Sequence, residues 1–340
     1  MLTRRTTLMT LAASVAALGA PAAFANEFYK MATLGPGSSP YMVMSTFARL
    51  VEERLGDVTF QVNATGAATQ HGLQAGAGQL DFFMMAPIVH NLMLSGEGMF
   101  AEIPQAPEMA KNLRSLFIFP LGYYHIVTWA DSGIETLDDV AGKTVFLGPP
   151  GGSAARTMEA IIEGATGLKA DTDYTAVRIG WDAATQAFQD GRIDVYANPT
   201  LPPSPVIQQL SISRPVRLLG MSEEQMATDG VQAMTNRAGG TIATIPAGTY
   251  GDAVVNDADV TTVGSYAGIG TNASLPEEQI YRIVKAFWEG VQETQSSTPW
   301  LRNVTLEGAF HDLNMPLHPG AIRYYEEIGL TIPDAVRPPA

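Results

Sequence analysis

No cysteine occurs among the 340 residues, which excludes disulfides, thiolate metal sites and cysteine nucleophiles. Positive charge is scarce: 20 Lys and Arg stand against 34 Asp and Glu, a formal net charge of −14. A chain so acidic suits neither nucleic acid nor anionic lipid, although a buried site answers to its local donors rather than to the global sum. Beyond the first 25 residues no apolar run reaches ~18 residues, so no later segment is expected to span a bilayer. The short motifs of several enzyme classes are missing as well. There is no Gly-x-Ser-x-Gly elbow, no His-Glu-x-x-His and no dinucleotide Gly-x-Gly-x-x-Gly, and the five His residues are scattered. No catalytic residue, metal site or cofactor is therefore expected.

What is present begins with the first 25 residues. Arg4 and Arg5 precede an almost wholly apolar stretch from Leu8 to Ala20, and Ala23-Phe24-Ala25 follows. That is the form of a cleavable export signal, cut after Ala25. Thr3-Arg4-Arg5-Thr6-Thr7-Leu8 resembles a twin-arginine start but also fits an ordinary Sec signal. Removing Arg4 and Arg5 leaves 18 basic residues against 34 acidic ones, a mature net charge of −16.

Glycine and proline are plentiful, at 33 and 22 residues, and they cluster in turns between strand-like and helix-like segments. Gly148-Pro149-Pro150-Gly151-Gly152-Ser153 follows the apolar run Thr144 to Leu147 and precedes Met158, Ile161, Ile162 and Ala165 at helical spacing. A turn of this kind leaves the first N–H groups of the helix without partners, at the positive end of its dipole, where they can hold a carboxylate or phosphate. Ser153 is expected at the N-cap, with the amides of Gly151, Gly152 and Ala154 beside it. Arg156, one turn in, either supplies charge or is an ordinary solvated helix residue. The turn is not a Walker A loop, because no Lys-Ser/Thr follows its glycines.

The same pattern occurs at Gly35-Pro36-Gly37-Ser38-Ser39-Pro40-Tyr41, after a strand over Phe28 to Leu34 and before a helix ending near Gly56. Here Ser39 is expected at the N-cap with Pro40 at N1. A third small-residue turn, Ala64-Thr65-Gly66-Ala67-Ala68-Thr69-Gln70-His71, follows Val58, Phe60 and Val62. His71 there is a ligand contact or a surface or capping residue. Trp181, at another helix start, is a ligand platform or a core plug. A fourth turn, stiff with proline, runs Asn198-Pro199-Thr200-Leu201-Pro202-Pro203-Ser204-Pro205. Tyr123, Tyr124 and His125 sit near a crossing between lobes, as core or ligand residues. Ser274 and Glu277 have capping-box spacing before an amphipathic helix with Ile280, Ile283, Val284, Phe287 and Val291 inward.

Strands alternate with helices twice over, the order of an α/β fold with two lobes. The length allows two cores of roughly 100–200 residues each. The lobes are expected over 26–130 plus 259–340 and over 131–258, with hinge crossings near 128–134 and 256–262. Small-residue turns at the carboxyl ends of strands in both lobes would face each other across a cleft, where open α/β sheets place their ligands.

The turns at 35–41, 64–67 and 147–153, together with Gln189-Asp190-Gly191-Arg192-Ile193-Asp194, Ile245-Pro246-Ala247-Gly248-Thr249-Tyr250, Asp259-Val260-Thr261-Thr262-Val263 and Leu317-His318-Pro319-Gly320-Ala321-Ile322-Arg323-Tyr324-Tyr325, resemble the TAXI family of TRAP-transporter solute receptors. The resemblance covers essentially the whole mature chain, in the family's order. It implies a type II periplasmic binding fold, with mixed sheets flanked by helices and a ligand cleft between lobes. It also implies a monomeric periplasmic receptor for one small organic acid anion, glutamate-like or dicarboxylate, which is delivered to TRAP membrane permease subunits driven by an ion gradient. Carried across by position, Gly37, Ser38, Ser39 and Tyr41, then Thr65, Gly66, Gln70 and His71, then Gly151, Gly152, Ser153 and Ala154 become candidate contacts, joined by Arg156, Trp181 and Asn198. The sequence departs from the family at Ala67 and Ala68, where Gly and Ser are usual, at Gln70-His71, and in the Asn-Pro-Thr-Leu-Pro-Pro turn. These departures fall in the expected pocket, so the family's amino-acid ligand does not carry over directly. A receptor for an ATP-driven importer with the same fold, and an enzyme on the same scaffold, are the other readings.

Overall fold

The computed structural model describes residues 26–36 and 38–338. The expected export signal (1–25), Gly37 and the Ser153 side chain lie outside the described residues. The chain opens with β1 (Glu27–Thr33), α1 (Ser39–Leu55), β2 (Val58–Ala64), α2 (Ala68–Gly76), β3 (Phe82–Met85), α3 (Pro87–Ser95), α4 (Ala106–Lys111) and the long β4 (Leu113–Trp129). Next come β5 (Thr144–Phe146), α5 (Ser153–Thr166), β6 (Thr175–Val177), α6 (Trp181–Gln189), β7 (Val195–Thr200) and α7 (Pro205–Ser211). Then β8 (Val216–Leu218), α8 (Glu223–Met226), α9 (Asp229–Thr235) and β9 (Gly240–Ile245) lead to a second long strand, β10 (Val260–Asn272). Helices α10 (Glu277–Thr294) and α11 (Pro319–Glu327) end the described chain. No described helix is long and apolar enough to cross a membrane.

Two long antiparallel strands organise the sheet, whose order is β2-β1-β3-β10-β4-β7-β5-β6, with β8 on β4 and β9 on β10. The two segments expected as separate strands, 113–121 and 125–130, are the single strand β4. Residues 113–123 of β4 pair with β10, and residues 123–129 pair with β7 and β8. Likewise β10 pairs with β9 through 260–265 and with β3 through 268–271. The exchange of partners therefore falls at residues 122–123 and 265–268, inside the same two strands whose ends reach the expected crossings near 128–134 and 256–262. Gly122 stands at this point with φ +135°, and a Cβ there would lie 2.3 Å from the carbonyl carbon of Thr200. A register shift between Ser265 and Tyr266 marks the same level on β10.

Each half of the sheet has its own buried core. In the first, Phe47, Phe60, Phe82, Phe117, Phe287 and Trp288 are packed together, with Phe117 stacked on Phe287 at 4.9 Å and 9°. In the second, one cluster lies under α5 and includes Met158, Ile161 and Ile162, while another lies under α6 and α7 around Phe146, Phe188 and Tyr196. A sheet covered on both faces requires apolar residues on both sides of its inner strands, and β3 is buried throughout. Leu201, from the turn after β7, is buried in the first core, so this turn ties the halves together.

The helices start and stop where local chemistry dictates. Helix α1 is capped by Ser38, which accepts the Tyr41 N–H, and ends at Gly56 in the left-handed region. The cap is Ser38 rather than the expected Ser39, because the Ser38 backbone is extended while Ser39 is already helical. In α10 the inward residues are Ile280, Ile283, Val284, Phe287 and Val291, as the spacing predicts. Its capping box does not form: the helix starts at Glu277 after Pro276, and Asn272 Oδ1 takes the Ser274 N–H instead.

Candidate ligand cavity between the lobes

Strands β1, β3 and β5 end on one side of the sheet, and the helices that follow them begin there. Their starts border a small cavity of about 60 Å³, below the usual size of small-molecule sites. From the first half come Leu34, Ser38 and Pro40 at the start of α1, and Ala86, Pro87 and Ile88 at the start of α3. From the second come Ala154 and Thr157 on the first turn and a half of α5, and Trp181, the first residue of α6. The crossing strands contribute Leu121, Tyr124, Ser265 and Tyr266, and the remaining wall includes Pro199 and Gly239.

The four helix starts are not equivalent. In α1, Ser38 takes the Tyr41 N–H and donates its own hydroxyl to Gly35 O at 2.8 Å. Helix α3 is preceded by Ala86, α5 by Gly152 and α6 by Gly180, and none of these carries a side-chain cap. The first-turn amides of these helices have no side-chain cap, although Pro87 itself has no N–H to offer, and the positive ends of the three dipoles lie at the cavity border. The described lining holds no Asp, Glu, Lys, Arg or His. Burial raises the Tyr124 hydroxyl well above its ordinary pKa, so this side chain is neutral, and its OH lies 3.4 Å from Ala154 O. The site offers hydrogen-bond donors and apolar walls, and among the described lining residues no carboxylate, imidazole or thiol.

Of the expected contacts, Ser38, Ala154 and Trp181 line the cavity. The N-cap of α5 is Gly152, and Ser153 is its first helical residue. Gly151 is exposed in the turn with φ +71°. Arg156 is exposed, is not among the lining residues and makes no ion pair among the described residues. Ser39 is wholly buried but serves the fold: its Oγ accepts the Leu201 N–H at 2.9 Å and lies 3.4 Å from Thr200 Oγ1. Tyr41 contributes its amide to the Ser38 cap and is half-buried.

The third small-residue turn is closed on itself and away from the lining. Thr65 donates to Asn63 Oδ1, and His71 Nε2 donates to the Thr65 carbonyl at 2.7 Å. Gly66 is exposed, with φ +84°, and a Cβ there would stand 2.9 Å from Gln70 Oε1. His71 is 1% exposed, and burial lowers its pKa, so it is a neutral capping residue in this arrangement. Asn198 lies within β7, not beyond it, and its side chain donates to the Tyr196 hydroxyl at 3.0 Å. Strand alternation then gives the cavity Pro199 instead.

Sequence reasoning missed Ala86-Pro87-Ile88 and Thr157. The first carried a usable signal: a continuous apolar strand followed at once by a proline at N1 is a strand-turn-helix of minimal length. Thr157 lies one turn after Ala154 and shares its helix face. Ser265 and Tyr266 carry no local signal, because their place at the cavity depends on the partner exchange within β10.

A mixed α/β sheet in two halves flanked by helices matches the fold of periplasmic binding proteins. The chain belongs to the NMT1-like family, whose sequence model matches residues 31–329. Among solved structures, a protein described as a periplasmic transporter superposes with a TM-score of 0.55 at 14% identity, over 90% of this chain and 94% of the other. The alkanesulfonate-binding protein of Xanthomonas axonopodis pv. citri bound to MOPS gives 0.49 at 14% identity, over 89% and 84% of the two chains. A TRAP periplasmic solute-binding protein of Polaromonas sp. JS666 bound to D-erythronate gives 0.43 at 14% identity, over 83% and 84%. At these identities the likeness is one of fold.

Proposed function

We propose that this protein is a periplasmic solute receptor that binds a small organic acid anion between its lobes and hands it to the membrane subunits of a TRAP-type transporter. The observation that carries this reading is the convergence of three uncapped helix starts, α3 from one half and α5 and α6 from the other, on a single cavity. Backbone amides and dipoles suit an anion without any charged side chain. Membership of the NMT1-like family and the shared fold support the receptor role. The resemblance of the turns to TAXI receptors supports the transporter type, and the signal-like first 25 residues support export.

The lobes, bounded near 130 and 259 by sequence but sharing the two long strands, close about a level slightly inside those bounds. The bending points are Gly122 on β4 and the register shift at Ser265 on β10. The closed form is what a membrane partner would recognise, and the receptor acts as a monomer.

Native mass spectrometry of protein purified without harsh washing tests this directly: a retained acid of low mass, released on denaturation, is expected. Absence of any retained ligand, together with no rise in melting temperature from any small carboxylate, would sink the receptor reading. Uptake by vesicles containing candidate membrane subunits then separates transporter types. A TRAP system responds to an imposed ion gradient without ATP, whereas an ATP-driven importer needs nucleotide.

A further inference from the structure

The cavity lining constrains the ligand more narrowly than the receptor reading, on which this inference rests. We infer that the solute is an amphiphilic monocarboxylate, with one anionic head and an uncharged apolar body, rather than a dicarboxylate or an amino acid.

Three observations carry it. The first is the uncharged lining. A dicarboxylate closed into this cavity would leave its second carboxylate without a cation, and an amino acid would leave its ammonium without a carboxylate, because no described lining residue carries charge. Burying an ion without a partner is far more costly than leaving it in water. Arg156 and Arg237 are the basic residues next in sequence to lining positions, and both are exposed.

The second is an unpaired donor. Trp181 is 5% exposed and packs edge-on against Phe146 at 5.4 Å. Its indole N–H makes no hydrogen bond among the described residues, although the side chain borders the cavity. Indole nitrogen can only donate, so this is a donor at the cavity that no described acceptor takes. A ligand oxygen would satisfy it, in line with the uncapped amides of the same helix start.

The third is the apolar share of the lining. Leu34, Met84, Ile88, Leu121 and Pro199 present carbon to the cavity, and Tyr266 presents a ring. These surfaces gain by excluding water from an alkyl or aryl group and offer nothing to a second polar head. A lining that combines hydrogen-bond donors with hydrocarbon and carries no charge matches a short branched-chain or aryl acid.

The test is isothermal titration of the mature protein with 4-methylpentanoate and phenylacetate, against succinate, glutamate, leucine and the neutral phenylacetamide. The two apolar monocarboxylates are expected to bind at least about a hundredfold more tightly than the other four, the scale set by an unpaired buried charge or a lost anionic head. Trp181→Phe, which keeps the ring against Phe146, is expected to weaken phenylacetate about tenfold. If glutamate or succinate binds as well as phenylacetate, the inference falls while the receptor reading stands. If phenylacetamide matches phenylacetate, an anionic head is not required and the inference also falls. If nothing binds and native mass spectrometry finds no retained acid, the receptor reading itself falls. Should Trp181→Phe unfold early, the ligand ranking on the unmodified protein decides alone.

Discussion

The turns at 35–41 and 148–154 look alike as sequence, with Gly, Pro and Ser ahead of a helix, yet the fold employs them in opposite ways. In the first, the N-cap is a serine, and its hydroxyl consumes the donor that a ligand would need. The next serine, Ser39, is spent on Leu201 of the other lobe. In the second, the N-cap is a glycine, and the first amides of α5 have no side-chain acceptor. A Gly/Ser turn is thus available to a ligand only where glycine, not serine, falls on the cap. Both turns border the cavity, the first through Ser38 and Pro40 and the second through Ala154, but the first also joins the lobes.

The largest effect that separates them is expected from acid, because only the first turn is tied to a buried histidine. His125 Nδ1 donates to Tyr123 O, so its Nε2 accepts from the Tyr250 hydroxyl at 2.7 Å. Tyr250 in turn accepts the Ser204 N–H, and Thr200 donates to Ser204 Oγ, which leads to Ser39. Burial holds His125 at a pKa of about 4, and also His90 and His318 at about 4. The unfolded chain takes up these protons near pH 6.5 and the folded one only near 4, so stability is complete above 6.5 and is lost as pH falls between the two. The loss is on the order of 2–3 kcal/mol for each of the three histidines at the bottom of that window. Urea denaturation at pH 7.5 and 4.5 measures it, and His125→Gln should flatten the slope by one proton's share. Equal stability at both pH values would overturn this account.

Next in size is Gly148→Ala, directed at the second turn. Gly148 has φ +139°, and a Cβ there would stand 2.9 Å from the Ala155 nitrogen. The variant should lose about 2–3 kcal/mol of stability and, because the start of α5 must shift, all detectable binding of the carboxylate. A variant that melts lower but binds normally would separate the turn from the site. Ser39→Ala should show the reverse pattern. It strands the buried Leu201 N–H, costing about 1–3 kcal/mol, and leaves affinity unchanged, because Ser39 does not line the cavity. A large loss of affinity with intact stability would return Ser39 to the ligand.

Much of this architecture was legible in the residues, and the parts that were not share a cause. The helix from Ser39 to Leu55, its stop at Gly56 and the inward face of α10 follow from periodicity and caps, which are local. The alternation of strands and helices indicated the two-lobed α/β fold. The caps of α1 and α5 were each displaced by one residue, because neighbouring Gly and Ser can both serve and backbone conformation decides between them. The joining of 113–121 and 125–130 into one strand was not legible, since that strand exchanges partners midway and its continuity depends on β10. The roles of Ser39 and Asn198 were hidden for the same reason: what consumes their hydrogen bonds, Leu201 and Tyr196, is fixed by tertiary packing and by strand alternation. The absence of charge at the cavity could not be seen either, because Arg156 lies one position from the face that carries Ala154 and Thr157.

The smallest change in stability, and the sharpest test of the contrast, should come from Gly152→Ser, which gives the second turn the cap of the first. Gly152 is already extended, with φ −81° and ψ 153°, a backbone that serine adopts freely. A Cβ there would lie 3.2 Å from Pro149 O, so that carbonyl must yield by a few tenths of an ångström. A serine hydroxyl in this place accepts an amide of the first turn of α5, as Ser38 does in α1. Because Gly and Ser caps differ by only a few tenths of a kcal/mol, the melting temperature should hardly move. Affinity for the carboxylate should nevertheless fall about tenfold, since a donor once free for the ligand now has an internal partner. Calorimetric titration of the variant beside the unmodified protein reads both quantities. Unchanged affinity would mean that the α5 amides do not hold the anionic head and that the two turns differ in sequence position only.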